Sequence, residues 1–170
     1  MKKLFMALCC LLLVFMPMAV RAEKNEKIKV YIFYGDGCPH CHKAFEFFDS
    51  IEEEYGKYYK LVKFETWYSS SNNKMMFQVA EKLGTDTEGL GVPYIIIGDK
   101  VFEGYTESYD EEIKKAIKAA YESDNYEDKV KPIVDERDRK NKETLYMACG
   151  SITALGILIV INSMSRKAFA

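Results

Sequence analysis

The chain is short of cysteine and histidine, with five of one and two of the other in 170 residues. Cys9 and Cys10 lie in an apolar N-terminal stretch and Cys149 in an apolar C-terminal one, so the body of the chain keeps only Cys38 and Cys41. A disulfide-stapled scaffold needs several pairs spread along the sequence. A bond between cysteines three residues apart closes almost no loop and adds little stability through chain entropy. This pair is therefore expected to react rather than to brace. His40 and His42 are the only imidazoles, which leaves no second ligand pair elsewhere for a structural zinc site. Excess charge is missing too: 24 basic against 26 acidic residues give a net charge of −2, with no basic cluster for nucleic acid to meet. No internal repeat is present.

What the chain does have is one domain's worth of alternating elements between two apolar ends. Met1-Lys2-Lys3 precedes an apolar run from Leu4 to Val20, broken only by Pro17 and followed by Arg21-Ala22. A basic start, an apolar middle and a small residue before a cut predict a secretory signal over residues 1–22, with an uncleaved signal-anchor as the alternative. The residues before Cys9 and Cys10 do not supply the small residue that a lipoprotein cleavage site wants. Near the other end, Leu145 to Ile161 carries no charge. At about 1.5 Å per residue such a stretch falls a little short of a ~30 Å hydrocarbon core, and extension to Met164 completes a transmembrane helix over 145–164. Residues 165–170, with Arg166 and Lys167, make a short cytoplasmic tail. Residues 123–144, dense in both acids and bases, read as a solvated linker, helical in part.

Between these segments, Ile28 to Tyr34 is a β-branched and aromatic run that reads as a buried strand, and Gly35-Asp36-Gly37 turns it. Pro39 suits a first helical position, and Ala44, Phe48, Ile51 and Tyr55 recur at helical spacing up to Gly56. Tyr59 to Glu65 reads as a second strand, and Met76, Val79, Ala80 and Leu83 as the face of a second helix. Gly91-Val92-Pro93 opens a third strand, Gly98-Asp99 marks a two-residue hairpin, and Ser108-x-x-Glu111 forms a capping box before a final helix. The order is β-α-β-α-β-β-α.

The stretch Gly35-Asp36-Gly37-Cys38-Pro39-His40-Cys41-His42 admits three chemistries. Cys-x-x-Cys is the spacing of a redox dithiol, Cys-x-x-Cys-His that of a covalently attached c-type haem, and two thiols with two imidazoles can hold zinc. In the haem reading His42 is the proximal ligand and Met75 or Met76 the distal one. In the dithiol reading Cys38 stands at the N-cap of a helix, where free N–H groups and the positive dipole end stabilise an anion. The thiolate is the attacking species, and His40 adds a donor or a positive charge nearby. Cys41, one turn along and better covered, then resolves the mixed disulfide.

The element order, Cys38-Pro39-His40-Cys41 directly after the first strand, and Val92-Pro93 opening the third resemble the thioredoxin superfamily over about residues 27–122. The four-residue motif looks like the active site of disulfide oxidants of the DsbA type. The resemblance implies a thioredoxin-like α/β fold and a thiol–disulfide oxidoreductase with Cys38 and Cys41 as its redox pair. It implies tuning by Pro39 and His40, a cis Val92–Pro93 bond beside the dithiol, and Val92 backbone pairing with an extended substrate. No cofactor or metal is then needed. With the export signal and the C-terminal helix, the implied partners are exported proteins bearing thiols or disulfides, a separate redox partner, and the membrane, with nucleic acid excluded. Within such families potentials run from about −270 mV for a reductant to about −120 mV for an oxidant, a gap of roughly 7 kcal/mol. The chain departs from the family in two places. Gly37 stands where thioredoxins carry a tryptophan, and Ile32 where many members bury a carboxylate. Glu65, at the end of the second strand, is the candidate proton acceptor for Cys41 in its stead.

Overall fold

Ile28–Tyr34 is apolar at nearly every position, more than a strand covered on one face can use, and the fold gives both of its faces a partner. The computed structural model describes residues 26–147 and 149. In it, β1 (Ile28–Tyr34) pairs in parallel with β2 (Tyr59–Glu65), from Ile28 opposite Tyr59 to Tyr34 opposite Glu65. On its other side β1 runs antiparallel to β3 (Tyr94–Ile97), which turns at Gly98 into β4 (Lys100–Glu103). The spatial order is β2-β1-β3-β4. Gly98 has φ +59°, a backbone state that glycine adopts freely, and so the hairpin closes in two residues.

The two-residue period of β1 sorts its side chains into two cores. Val30 and Ile32 meet Ala44, Phe47 and Phe48 of α1 (Pro39–Ser50) and Ile113 and Ile117 of α4 (Asp110–Glu122). Tyr31 and Phe33 meet Met75, Met76, Val79 and Ala80 of α3 (Ser70–Leu83) on the opposite face. Each fully buried aliphatic or aromatic side chain of this kind contributes about 1.5–3 kcal/mol. The result is a mixed α/β domain with a four-stranded sheet covered on both sides.

Helix ends follow the sequence in part. Ser69 accepts from the Asn72 N–H at 3.3 Å to cap α3, and Gly84, at φ +74°, closes it. The first helix does not run unbroken to Gly56: it stops at Ser50, and Glu52–Tyr55 forms a separate turn, α2. The capping box does not form either. A 3₁₀ turn at Glu107–Tyr109 intervenes, Ser108 pairs with Thr106, and Glu111 binds Lys114 one turn on. Three acids in the first turn of α4 face its positive end instead.

The segment read as a solvated linker packs against the domain over its first half. Tyr126 Oη accepts from the Lys29 N–H at 3.4 Å, Tyr31 Oη donates to Asp128 at 2.7 Å, and Val130 is buried among the α3-side core residues. Residues 131–147 are helical (α5), and Ile133 and Val134 lean on the same core. The Arg137 guanidinium lies 5.0 Å over the Phe64 ring and donates to Asn72; its buried Nε sits 2.7 Å from Asp138 without hydrogen-bond alignment. Charged residues dominate the count, but the few apolar ones fall where the sheet needs cover. Beyond Arg137 the helix is exposed, as a linker would be.

The expected signal at 1–22, the tail at 165–170 and most of the span at 145–164 lie outside the described residues. Among the described residues no helix is long and apolar enough to cross a membrane.

Candidate active site

At the end of β1 the chain must reverse and enter α1 within a few residues. Gly37 makes this possible at φ +80°, and the Cys38 N–H closes the turn on the Gly35 carbonyl at 3.1 Å. Cys38 then takes the N-cap of α1 in extended conformation, with Pro39 at the first helical position. The Cys41 N–H, one of the helix's unpaired donors, points at Cys38 Sγ from 3.3 Å. The same bond stabilises a thiolate more than a thiol, because its acceptor gains a full charge.

The two sulfurs are unequal. Both are free thiols, Cys38 5 % exposed and Cys41 1 %, so a partner reaches Cys38 first. The Cys41 thiol is pushed up to about 12, chiefly by burial and next by its contact with Cys38, against a smaller opposing effect of the Gly35 backbone. Cys41 is therefore held protonated at neutral pH.

Val92 and Pro93 arrive from the loop before β3 at the same edge of the sheet. Their peptide bond is cis, and Cys38 Sγ–H reaches the Val92 carbonyl oxygen at 3.8 Å. Of the residues expected at the site, Cys38, Pro39, Cys41, Val92 and Pro93 converge. His40 is on α1 but exposed, and no hydrogen bond joins it to either sulfur.

The proton-acceptor role expected of Glu65 does not fit its contacts. Its carboxylate accepts from the Trp67 N–H at 2.6 Å and from the Tyr68 N–H at 3.0 Å, tying down the loop after β2. Ile32 is fully buried and offers only hydrocarbon. Among the described residues no carboxylate hydrogen-bonds either sulfur.

The residues of the haem reading are scattered. His42 is exposed on α1, whereas Met75 and Met76 are buried under α3 on the opposite face of the sheet. Among the described residues no three His, Cys, Asp or Glu side chains cluster as metal ligands. A groove of about 620 Å³ runs between α3 and α5, lined by Lys74, Lys82, Arg137 and Lys140, and no residue of the dithiol turn lines it.

One neighbour of the turn leading into Cys38 was not legible in sequence. Trp67, the chain's single tryptophan, lays its indole on the backbone of Gly35, where a Cβ would overlap the ring. The available signal was a strand-end acid followed by two aromatic residues in a loop, and acids there are ordinarily just solvated. No family model, curated protein or solved structure matches the chain.

Proposed function

We propose that this protein is a thiol–disulfide oxidoreductase of thioredoxin-like fold, anchored in a membrane by its C-terminal segment and facing outside the cytoplasm. Its direction is oxidation of exported protein thiols through Cys38 and Cys41. The observation that carries the reading is the asymmetry of the pair: Cys38 Sγ receives the Cys41 N–H at a helix start, while Cys41 is buried and held protonated.

In the oxidised form a substrate thiolate attacks Cys38 Sγ, the more accessible sulfur. The Cys38–Cys41 bond breaks, and Cys41 leaves and takes up a proton. A second substrate thiolate then attacks the substrate sulfur of the mixed disulfide. The substrate disulfide forms, and Cys38 leaves as a thiolate on the Cys41 N–H. Two electrons pass from substrate to protein, and a disulfide-bearing redox partner returns the dithiol to the oxidised state. Reduction asks Cys41 to give up its proton and oxidation asks the same buried sulfur to leave, so the direction rests instead on the N–H that the helix start offers a Cys38 thiolate in the reduced form. An isomerase or reductase remains the alternative within the same chemistry.

Equilibration of the Cys38/Cys41 pair in glutathione buffers tests the proposal. The expected potential lies well above the roughly −270 mV of a reductant, toward the oxidant end near −120 mV. Cys41→Ser is expected to accumulate mixed disulfides through Cys38, and Cys38→Ser none. A potential at the reductant end would make the protein a reductase. Trapping through neither cysteine would end the dithiol reading.

A further inference from the structure

The loop after β2 is fastened at every point yet leaves two large aromatic side chains in solvent. Thr66 is buried and gives both its N–H and its hydroxyl to the Tyr34 carbonyl, at 2.8 and 3.0 Å. Asn72 Nδ2 donates to the Glu65 carbonyl at 2.8 Å, and the Glu65 carboxylate holds the N–H groups of Trp67 and Tyr68. Despite this, Trp67 is 56 % and Tyr68 82 % exposed, and among the described residues the other large exposed apolar side chains, Leu145, Tyr146 and Met147, lie on α5. Ordering a surface loop around exposed aromatics does nothing for the core. It does prepare a contact, because a side chain already fixed loses little freedom when a partner arrives.

The position of the indole says which partner. It rests on Gly35, whose carbonyl holds the Cys38 N–H. Cys38 Sγ itself faces the Val92 carbonyl. A chain pairing with that main chain is read by no side chain there, so selection falls to an exposed side chain on the same turn, and the indole on Gly35 is one.

We infer that Trp67 is a specificity-determining residue of the dithiol site, selecting polypeptide thiols with an apolar or aromatic side chain beside their cysteine, and that Glu65 is the residue that positions it. This rests on the dithiol reading above and adds a recognition element to it.

The test uses the oxidised full chain and two synthetic dicysteine peptides, one with Phe or Leu next to each cysteine and one with Gly or Ser there. The readout is the ratio of their oxidation rates, in which a general loss of activity cancels. The wild type is expected to prefer the apolar peptide about tenfold, the size of one aromatic contact near 1.4 kcal/mol. Trp67→Ala brings the ratio close to one, and Trp67→Phe restores most of it. Glu65→Ala lowers the ratio, whereas Glu65→Gln, which keeps an oxygen acceptor, holds it. A ratio that survives Trp67→Ala overturns the inference even if both rates fall, since the indole would then only shape the turn. A wild type that reacts with glutathione but shows no preference overturns the inference alone. One that does not react with glutathione overturns the dithiol reading and this inference with it.

Discussion

At the scale of single residues, the site is two sulfurs in different surroundings. Cys38 and Cys41 were legible as a pair, and so was the place of Cys38 at a helix start, because a proline follows it. The surroundings were not legible. The backbone of Gly35 under an indole and the Glu65 carboxylate under two N–H groups are contacts between β1 and the loop after β2. Neither segment announces the other in sequence. Burial, the first cause of the raised Cys41 value, survives loss of Cys38. In Cys38→Ser, Cys41 is expected to resist iodoacetamide at neutral pH. Its alkylation rate should then climb roughly tenfold per pH unit toward about pH 10, with no plateau, as the thiolate fraction of an acid titrating far above that range must. A plateau near pH 9 would mean that Cys41 titrates as a solvated thiol.

Elements were read well where periodicity carries the information and poorly where charge obscures it. The bounds of β1 and β2 match those expected from their β-branched and aromatic residues, although only β1 is covered at nearly every position; β2, at the sheet edge, leaves Lys60 and Lys63 exposed. The segment after α4 failed the same reading. Its apolar residues are too sparse to set a period, and what fastens it is Tyr126, Asp128, Val130 and Arg137 acting singly on different parts of the sheet and α3. The capping box failed for a local reason, because Ser108 finds Thr106 before it finds the helix. If residues 126–137 belong to the domain, Val130 is a core residue. Val130→Ala is then expected to destabilise the protein by about 2 kcal/mol in urea unfolding. Lys142→Ala, on the exposed part of α5, should stay within roughly 0.5 kcal/mol. Equal, negligible effects would return the segment to the linker it resembled in sequence.

Over the described residues the sheet buries tyrosines in both of its cores, and this sets the alkaline limit. Of twelve tyrosines, Tyr31, Tyr59, Tyr94 and Tyr105 are raised above the ordinary value, and Tyr126 is raised to about 12. Burial leads in every case, and a nearby acid adds to it for Tyr31 (Asp128), Tyr59 (Glu52) and Tyr105 (Asp110). The folded state thus prefers these phenols protonated, while the unfolded chain ionises them near pH 10. Their contribution to stability is complete below about pH 10 and is lost as pH rises toward their folded values, because unfolding then releases protons. The urea midpoint is expected to hold steady to about pH 10 and fall steeply above it. Tyrosinate absorbance from the buried phenols should rise cooperatively with loss of the far-ultraviolet circular dichroism. Tyr31→Phe removes one of the titrating groups, so it should flatten the fall in midpoint even if it lowers stability at neutral pH. A single absorbance wave near pH 10 with the dichroism intact would show that the phenols reach solvent in the folded state, and the two-sided core described here would be wrong.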